Sequence, residues 1–223
     1  EIAQCLVGSE MCIRDRVFSY PVQYSAVPKI LSDFIHNNSS VWQGKRVFII
    51  ATMALFSGDG AGVLGRLLKQ YGAKITGGLH LQMPDSIADE KVLKRSLEKN
   101  TQLVKKANQK VVKAATDIKN GKYPQEGLGN LSRLTGFLSQ RVWFGHRTKK
   151  YSDKLKVDVD KCIGCSKCVQ ICPTENIIMK DNKAIGMDRC TVCYRCVNAC
   201  PKQAITLLGK TVVEQTSIEK YLK

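Results

Sequence analysis

Eight cysteines fall between positions 162 and 200 in two copies of one pattern. The first is Cys162, Cys165, Cys168, Cys172 and Pro173; the second is Cys190, Cys193, Cys196, Cys200 and Pro201, and both read C-x2-C-x2-C-x3-C-P. Three cysteines at steps of three in a tight loop can aim three thiolates at one iron–sulfur cubane, while the fourth begins a short helix pointing elsewhere. In a doubled run of this kind each fourth cysteine ligates the other cluster. The spacing therefore assigns cluster I to Cys162, Cys165, Cys168 and Cys200, and cluster II to Cys190, Cys193, Cys196 and Cys172. Two [4Fe–4S] clusters are the expected cofactors.

The residues between the cysteines fit that chemistry. Gly164 lets the backbone wrap closely around a cluster, where N–H groups can reach its sulfurs. Pro173 and Pro201 restrict the chain after the fourth cysteine. Ile163, Val169, Ile171, Val192, Val197 and Ile205 are expected to exclude water and favour a low potential, opposed by nearby positive charge. Two other chemistries use cysteine sets. Structural zinc takes separated pairs, commonly with histidine, and no histidine lies near these runs. Disulfides need an oxidising compartment, for which no export signal is present.

Positioning these groups requires a folded chain. Its 223 residues, 43% hydrophobic and 24% charged, are in the globular range and suffice for one large domain or two small ones. The longest apolar run, residues 47–55, is far short of the ~20 residues that cross a bilayer. The expectation is a cytoplasmic protein without a membrane partner. The net charge of +16 is unevenly placed: residues 91–156 hold 17 lysines and arginines against four acidic residues. A lysine-rich helix face in that stretch reads first as a solvated surface, next as a docking face for an acidic redox partner, and last as a nucleic-acid site, because aromatic interleaving and a binding motif are missing.

Residues 1–16 read as a non-native, adapter-derived segment joined to a truncated frame, and Cys5 and Cys12 receive no ligand role. From residue 17 short apolar runs alternate with helical ones, the pattern of an α/β unit with a parallel sheet. Strands are expected over residues 17–20, 46–52 and 74–81. Helices are expected over residues 27–35, with Pro28 in the first turn, and along the Leu64, Leu67, Leu68 and Tyr71 stripe, ended by Gly72. A long helix is expected over residues 89–120, where Leu97, Val104, Val111 and Ile118 recur every seven residues, joined by Leu93, Ala107 and Ala114. Residues 121–150 read as a basic connector. Residues 151–223 then begin with an alternating Leu155, Val157, Val159 strand whose pseudo-repeat is Ala204, Ile205 and Leu207.

After the second strand, residues 51–62 make a glycine-rich loop and open a helix, in the place where open α/β sheets bind ligands. The loop is not a P-loop, because no Gly-Lys-Ser/Thr follows. Its other reading is a plain strand-to-helix turn with Asp59 as cap. His36, His80 and His146 support no catalytic arrangement.

Tyr20-Pro21-Val22 before Val27-Pro28-Lys29, the loop from Phe56 to Gly62, Gly78-Leu79-His80-Leu81-Gln82-Met83-Pro84 and the paired cysteine runs together resemble the EFR1 family of flavodoxin-like/ferredoxin fusion proteins. The resemblance covers residues 17–223. It implies a flavodoxin-like α/β domain, here N-terminally truncated with an incomplete parallel sheet over residues 17–120, followed by an α+β two-cluster ferredoxin domain. It also implies FMN bound by the loops at residues 21–24 and 52–60, naming Tyr24, Thr52, Phe56, Ser57, Gly58, Asp59 and Gly60, with Tyr24 or Phe56 as a stacking ring. The central strand and phosphate-binding loop of that family have no match before Val17. This chain is therefore expected to bind FMN weakly or not at all, and the complete protein to bind it. The implied function is electron transfer through two clusters coupled to a flavin domain. The alternatives are a flavin/iron–sulfur oxidoreductase acting on an unknown small substrate and, ranked lower, a nucleic-acid-binding iron–sulfur protein.

Overall fold

The computed structural model describes residues 15–23, 26–55, 58–130, 132–133 and 154–222. Two packed units share the chain. The first holds β1 (Asp15–Pro21), α1 (Lys29–Asn37), β2 (Arg46–Met53), α2 (Gly60–Gln70), β3 (Lys74–Gln82) and α3 (Leu97–Lys119). Its strands form a parallel sheet in the order β1-β2-β3, with Phe18 opposite Ile49 and Ile50 opposite Leu79. All three expected strands are present, each longer by one or more residues; β1 starts at Asp15, inside the segment that the sequence reading set aside.

Period-two alternation distributes β2 between two cores. Val47, Ile49, Ala51 and Met53 face Ile35 of α1 and Leu64 and Leu68 of α2, while Phe48 and Ile50 face Ala107 and Ala114 of α3. Trp42, fully buried, packs edge-on to Phe18 and Phe34 and donates its indole N–H to the Ile35 carbonyl at 3.0 Å. In β1 Phe18 and Tyr20 are buried, but Val17 on the opposite face is 66% exposed; among the described residues α3 packs on β2 and β3 and not on that face of β1. Gly77 and Gly78 serve close approach along β3: a Cβ on either would stand 2.5 Å from the carbonyl oxygen of Pro124 or Glu126. The start of the basic connector thus packs on the sheet edge; residues 134–153 lie outside the described residues.

The expected long helix is shorter than its periodicity suggested. Residues 89–96 are not α-helical; a 3-10 turn spans Lys91–Leu93, and α3 begins after Ser96, whose hydroxyl accepts the Lys99 amide at 3.3 Å. Of the expected stripe, Leu97 is 61% and Val111 40% exposed, whereas Val104, Ala107 and Ala114 are buried and Ile118 packs against the core of Phe48 and Leu79. Asn100, Val104, Ala107 and Ala114 are the buried positions.

The second unit holds β4 (Lys156–Val157), α4 (Lys167–Ile171), β5 (Ile177–Lys180), β6 (Lys183–Gly186), α5 (Arg195–Ala199) and β7 (Ile205–Thr206). β4 pairs antiparallel with β7, and β5 with β6. Val159 lies beyond β4 and is half exposed, which shortens the expected opening strand; Ala204, Ile205 and Leu207 are buried as a group. This second core also holds Ile87 and Ala88, from the strap that leaves β3. The Val213 and Glu214 amides donate to the Ala88 carbonyl, and the Asn198 side chain donates to that of Ser86. The strap, which lies within the 17–120 stretch, thus also packs into the second core through Ile87 and Ala88.

Candidate metal centre

The eight cysteines are free thiols grouped around two recesses. Cys162, Cys165, Cys168 and Cys200 line the first, with Pro201, Ile205 and Ala184. Cys190, Cys193, Cys196 and Cys172 line the second, with Pro173, Ile177 and Leu207. The recesses enclose about 380 and 300 Å³, open mouths included. Each gathers three thiols of one run and the fourth of the other. In each run the third cysteine sits in a helix (Cys168 in α4, Cys196 in α5), and the fourth is the residue that ends it. The sequence reading had the fourth cysteine begin a helix; the short helix instead delivers it across to the opposite recess.

Local backbone makes these loops. Gly164 and Val192 occupy equivalent positions with φ of +71° and +54°, and Ser166 and Tyr194 precede α4 and α5 with φ of +58° and +60°. Left-handed residues fold the loop back on itself and turn N–H groups inward. The Asn176 amide donates to Cys172 Sγ at 3.2 Å, and its counterpart Ala204 donates to Cys200 Sγ at 3.3 Å. The Val192 amide donates to Cys190 Sγ at 3.4 Å. Amides of Ala184 and Gly164 hold the Cys162 thiol below its ordinary range. At Cys172 burial works against ionisation, yet donors from Thr174, Asn176 and Ile177 outweigh it and the pKa falls. Burial raises Cys168 and Cys190, and pushes Cys196 up to about 12.

This donor set fits an iron–sulfur group. Amides aimed at sulfur suit metal-bound thiolates, and the deeply buried Cys196 would give up its proton on binding iron. Among the described residues no three His, Cys, Asp or Glu side chains converge on a single-ion position. Ile163 and Ile205 line the first recess, Ile205 buried and Ile163 59% exposed, while Val192 and Val197 are buried in the core of the same unit.

The loop after β2 is a packed turn where it is described. Gly58 has φ +61°, and the Gly60 carbonyl accepts the Tyr20 hydroxyl at 2.5 Å. Thr52 Oγ1 reaches the Tyr20 carbonyl at 3.5 Å. Asp59, 1% exposed, stands at the N-cap position of α2 as the turn reading has it, but its side chain pairs with Arg66 at 2.5 Å instead of capping the helix. The Ala61 amide at the start of α2 donates to His80 Nε2 at 3.1 Å. Tyr24, Phe56, Ser57 and His146 lie outside the described residues. His36 contacts the Tyr71 hydroxyl on the surface. Two residues beside the second recess escaped the sequence reading: Tyr194, which lines it, and Asp89, which binds Tyr194. Nothing local in the sequence marks Asp89.

Residues 154–206 match the 4Fe-4S dicluster domain family. The cysteine pattern, the two recesses and this match define a ferredoxin-type iron–sulfur domain at those residues. A similar curated protein is Ferredoxin-2 of Desulfomicrobium norvegicum, 52% identical over 29 residues, which is 13% of this chain and 49% of that protein. The chain thus spans about half the length of that relative. No solved structure matches. Among the described residues, no helix is long and apolar enough to cross a membrane.

Proposed function

We propose that the chain is a one-electron carrier whose C-terminal domain, residues 151–223, holds two [4Fe–4S] clusters. Cys162, Cys165, Cys168 and Cys200 would hold cluster I, and Cys190, Cys193, Cys196 and Cys172 cluster II. The observation that carries this reading is the crossed, three-plus-one grouping of eight thiols around two recesses. When bound, the clusters supply reversible one-electron redox chemistry at low potential. The protein's own residues hold the thiolates, donate amides to their sulfurs and keep water off the inner walls.

The parallel sheet of the first unit supports a flavodoxin-like domain over residues 17–120 and kinship with the EFR1 fusion proteins. In the complete protein the loops at residues 21–24 and 52–60 would carry FMN and exchange electrons with the clusters. The exposed lysines of α3, with Lys122 just after it, suit an acidic redox partner, and the cytoplasm suits reduced cysteines.

Anaerobic reconstitution with iron and sulfide analysis tests the core of the proposal. About eight irons per chain and an EPR spectrum of two interacting reduced centres are expected. Zinc without sulfide would overturn it. Flavin fluorescence titration is expected to show weak or no FMN binding by this chain; tight binding would refute that expectation.

A further inference from the structure

The two recesses come from one repeat but are charged differently. Lys167 and Lys202 line the first, and Lys183 donates to the Cys162 carbonyl at 2.7 Å. In the second, Arg195 stands in place of Lys167, but Thr174 stands in place of Lys202 and Tyr194 in place of Ser166. Tyr194, 2% exposed, donates its hydroxyl to Asp89 Oδ1 at 2.7 Å. The other oxygen of Asp89 accepts the Leu207 and Leu208 amides at 2.7 and 3.0 Å. Asp89 is itself only 4% exposed, and both Tyr194 and Leu207 line the second recess. The strap from the first unit thus places a carboxylate directly behind one wall of site II, held by three donors.

We infer that Asp89 is a positioning residue that makes site II harder to reduce than site I, so that the first electron rests at site I. Reduction adds one negative charge to a site. A fixed buried anion opposes that charge and neighbouring cations, Lys94 beside Asp89 among them, favour it, while the burial of Asp89 keeps water from screening it. Electrons delivered at site II, beside the strap, would then run downhill to site I, where Cys165 is exposed and the two lysines meet solvent. The inference rests on the two-cluster reading above.

The test uses the full chain, reconstituted anaerobically and given one electron per molecule from dithionite. Hyperfine-shifted cysteine β-proton resonances in NMR report each cluster separately. A chain without about eight irons fails the two-cluster reading itself. With eight irons, wild type is expected to hold most of the electron at site I. Asp89→Asn is expected to raise the II-to-I ratio about tenfold, equal to 59 mV for a one-electron couple. Lys202→Gln, an exposed change, is expected to move the ratio about threefold in the same direction. Reduction of site II first in wild type overturns the inference, and so does a ratio within twofold of wild type in Asp89→Asn at full iron content. Should Asp89→Asn lose iron, the wild-type order and Lys202→Gln still decide it.

Discussion

Replacing Gly164 with alanine tests how the first cysteine loop is held. Gly164 has φ +71°, and a Cβ there would stand 2.6 Å from the carbonyl oxygen of Asn182 in the β5–β6 turn. The left-handed backbone costs an alanine about 1–2 kcal/mol. The overlap adds about 1–3 kcal/mol, because the atom in the way is backbone in a tight turn and cannot swing aside. Gly164→Ala is therefore expected to destabilise the domain by about 2–5 kcal/mol, read from the denaturant midpoint of the iron-loaded chain under argon. Iron loading is expected to fall as well, since the Gly164 amide supports the Cys162 thiolate. Val192 supplies the control. It holds φ +54° at the equivalent position while 9% exposed, so Val192→Gly relieves about 1–2 kcal/mol of strain and loses a comparable amount of burial. A Gly164→Ala chain within about 0.5 kcal/mol of wild type, below the ordinary cost of a core change, would refute the account.

The crossing of the runs predicts that Cys172→Ala empties site II, although Cys172 lies in the first run: iron should fall by about half, and the surviving NMR resonances should belong to Cys162, Cys165, Cys168 and Cys200. Retention of the Cys190, Cys193 and Cys196 resonances instead would refute the pairing. The first unit should lose stability in acid through His80. Burial lowers its pKa below 6.5, with Lys110 adding to the effect and Glu126 and Asp59 opposing it. The unfolded chain therefore binds the proton more readily. The contribution is fully present above pH 6.5 and is lost as pH falls from there toward the lower folded pKa. Denaturant midpoints measured from pH 7.5 to 5.5 should fall in wild type and flatten in His80→Gln; equal slopes would refute it.

How much of this was legible in the sequence depended on the range of the contacts. The three strands are short apolar runs, and the cysteine sets are spaced within single turns of chain, so each announces itself locally. The start of α3 did not. Leu93 continues the seven-residue spacing of Ala107 and Ala114 into a segment that is not α-helical, because the competing contacts of Asp89 come from residues 105 to 119 positions away. A buried carboxylate with three donors outweighs the weak preference of an eight-residue stretch for helix. Likewise Asp59 looked like a cap by position, but its partner is Arg66, seven residues on and two turns along α2.

The repeat itself shows what residue type does not determine. Gly164 and Val192, Ser166 and Tyr194, and Glu175 and Gln203 differ pairwise, yet each pair shares a left-handed φ between +50° and +71°. Five of these six are not glycine, and each such residue costs about 1–2 kcal/mol in that region. Strain repeated at equivalent positions in both halves is not an accident of either loop. Something common to both must offset it, and the amide-to-sulfur bonds at Cys172 and Cys200 are the shared element that the structure displays. Left-handed turns aim amides at sulfur, and sulfur bound to metal is the stronger acceptor, because it carries the charge that a neutral buried thiol lacks. The loops are thus shaped for loaded thiolates, and removing iron should cost the C-terminal domain more stability than the loss of its apolar packing alone would predict.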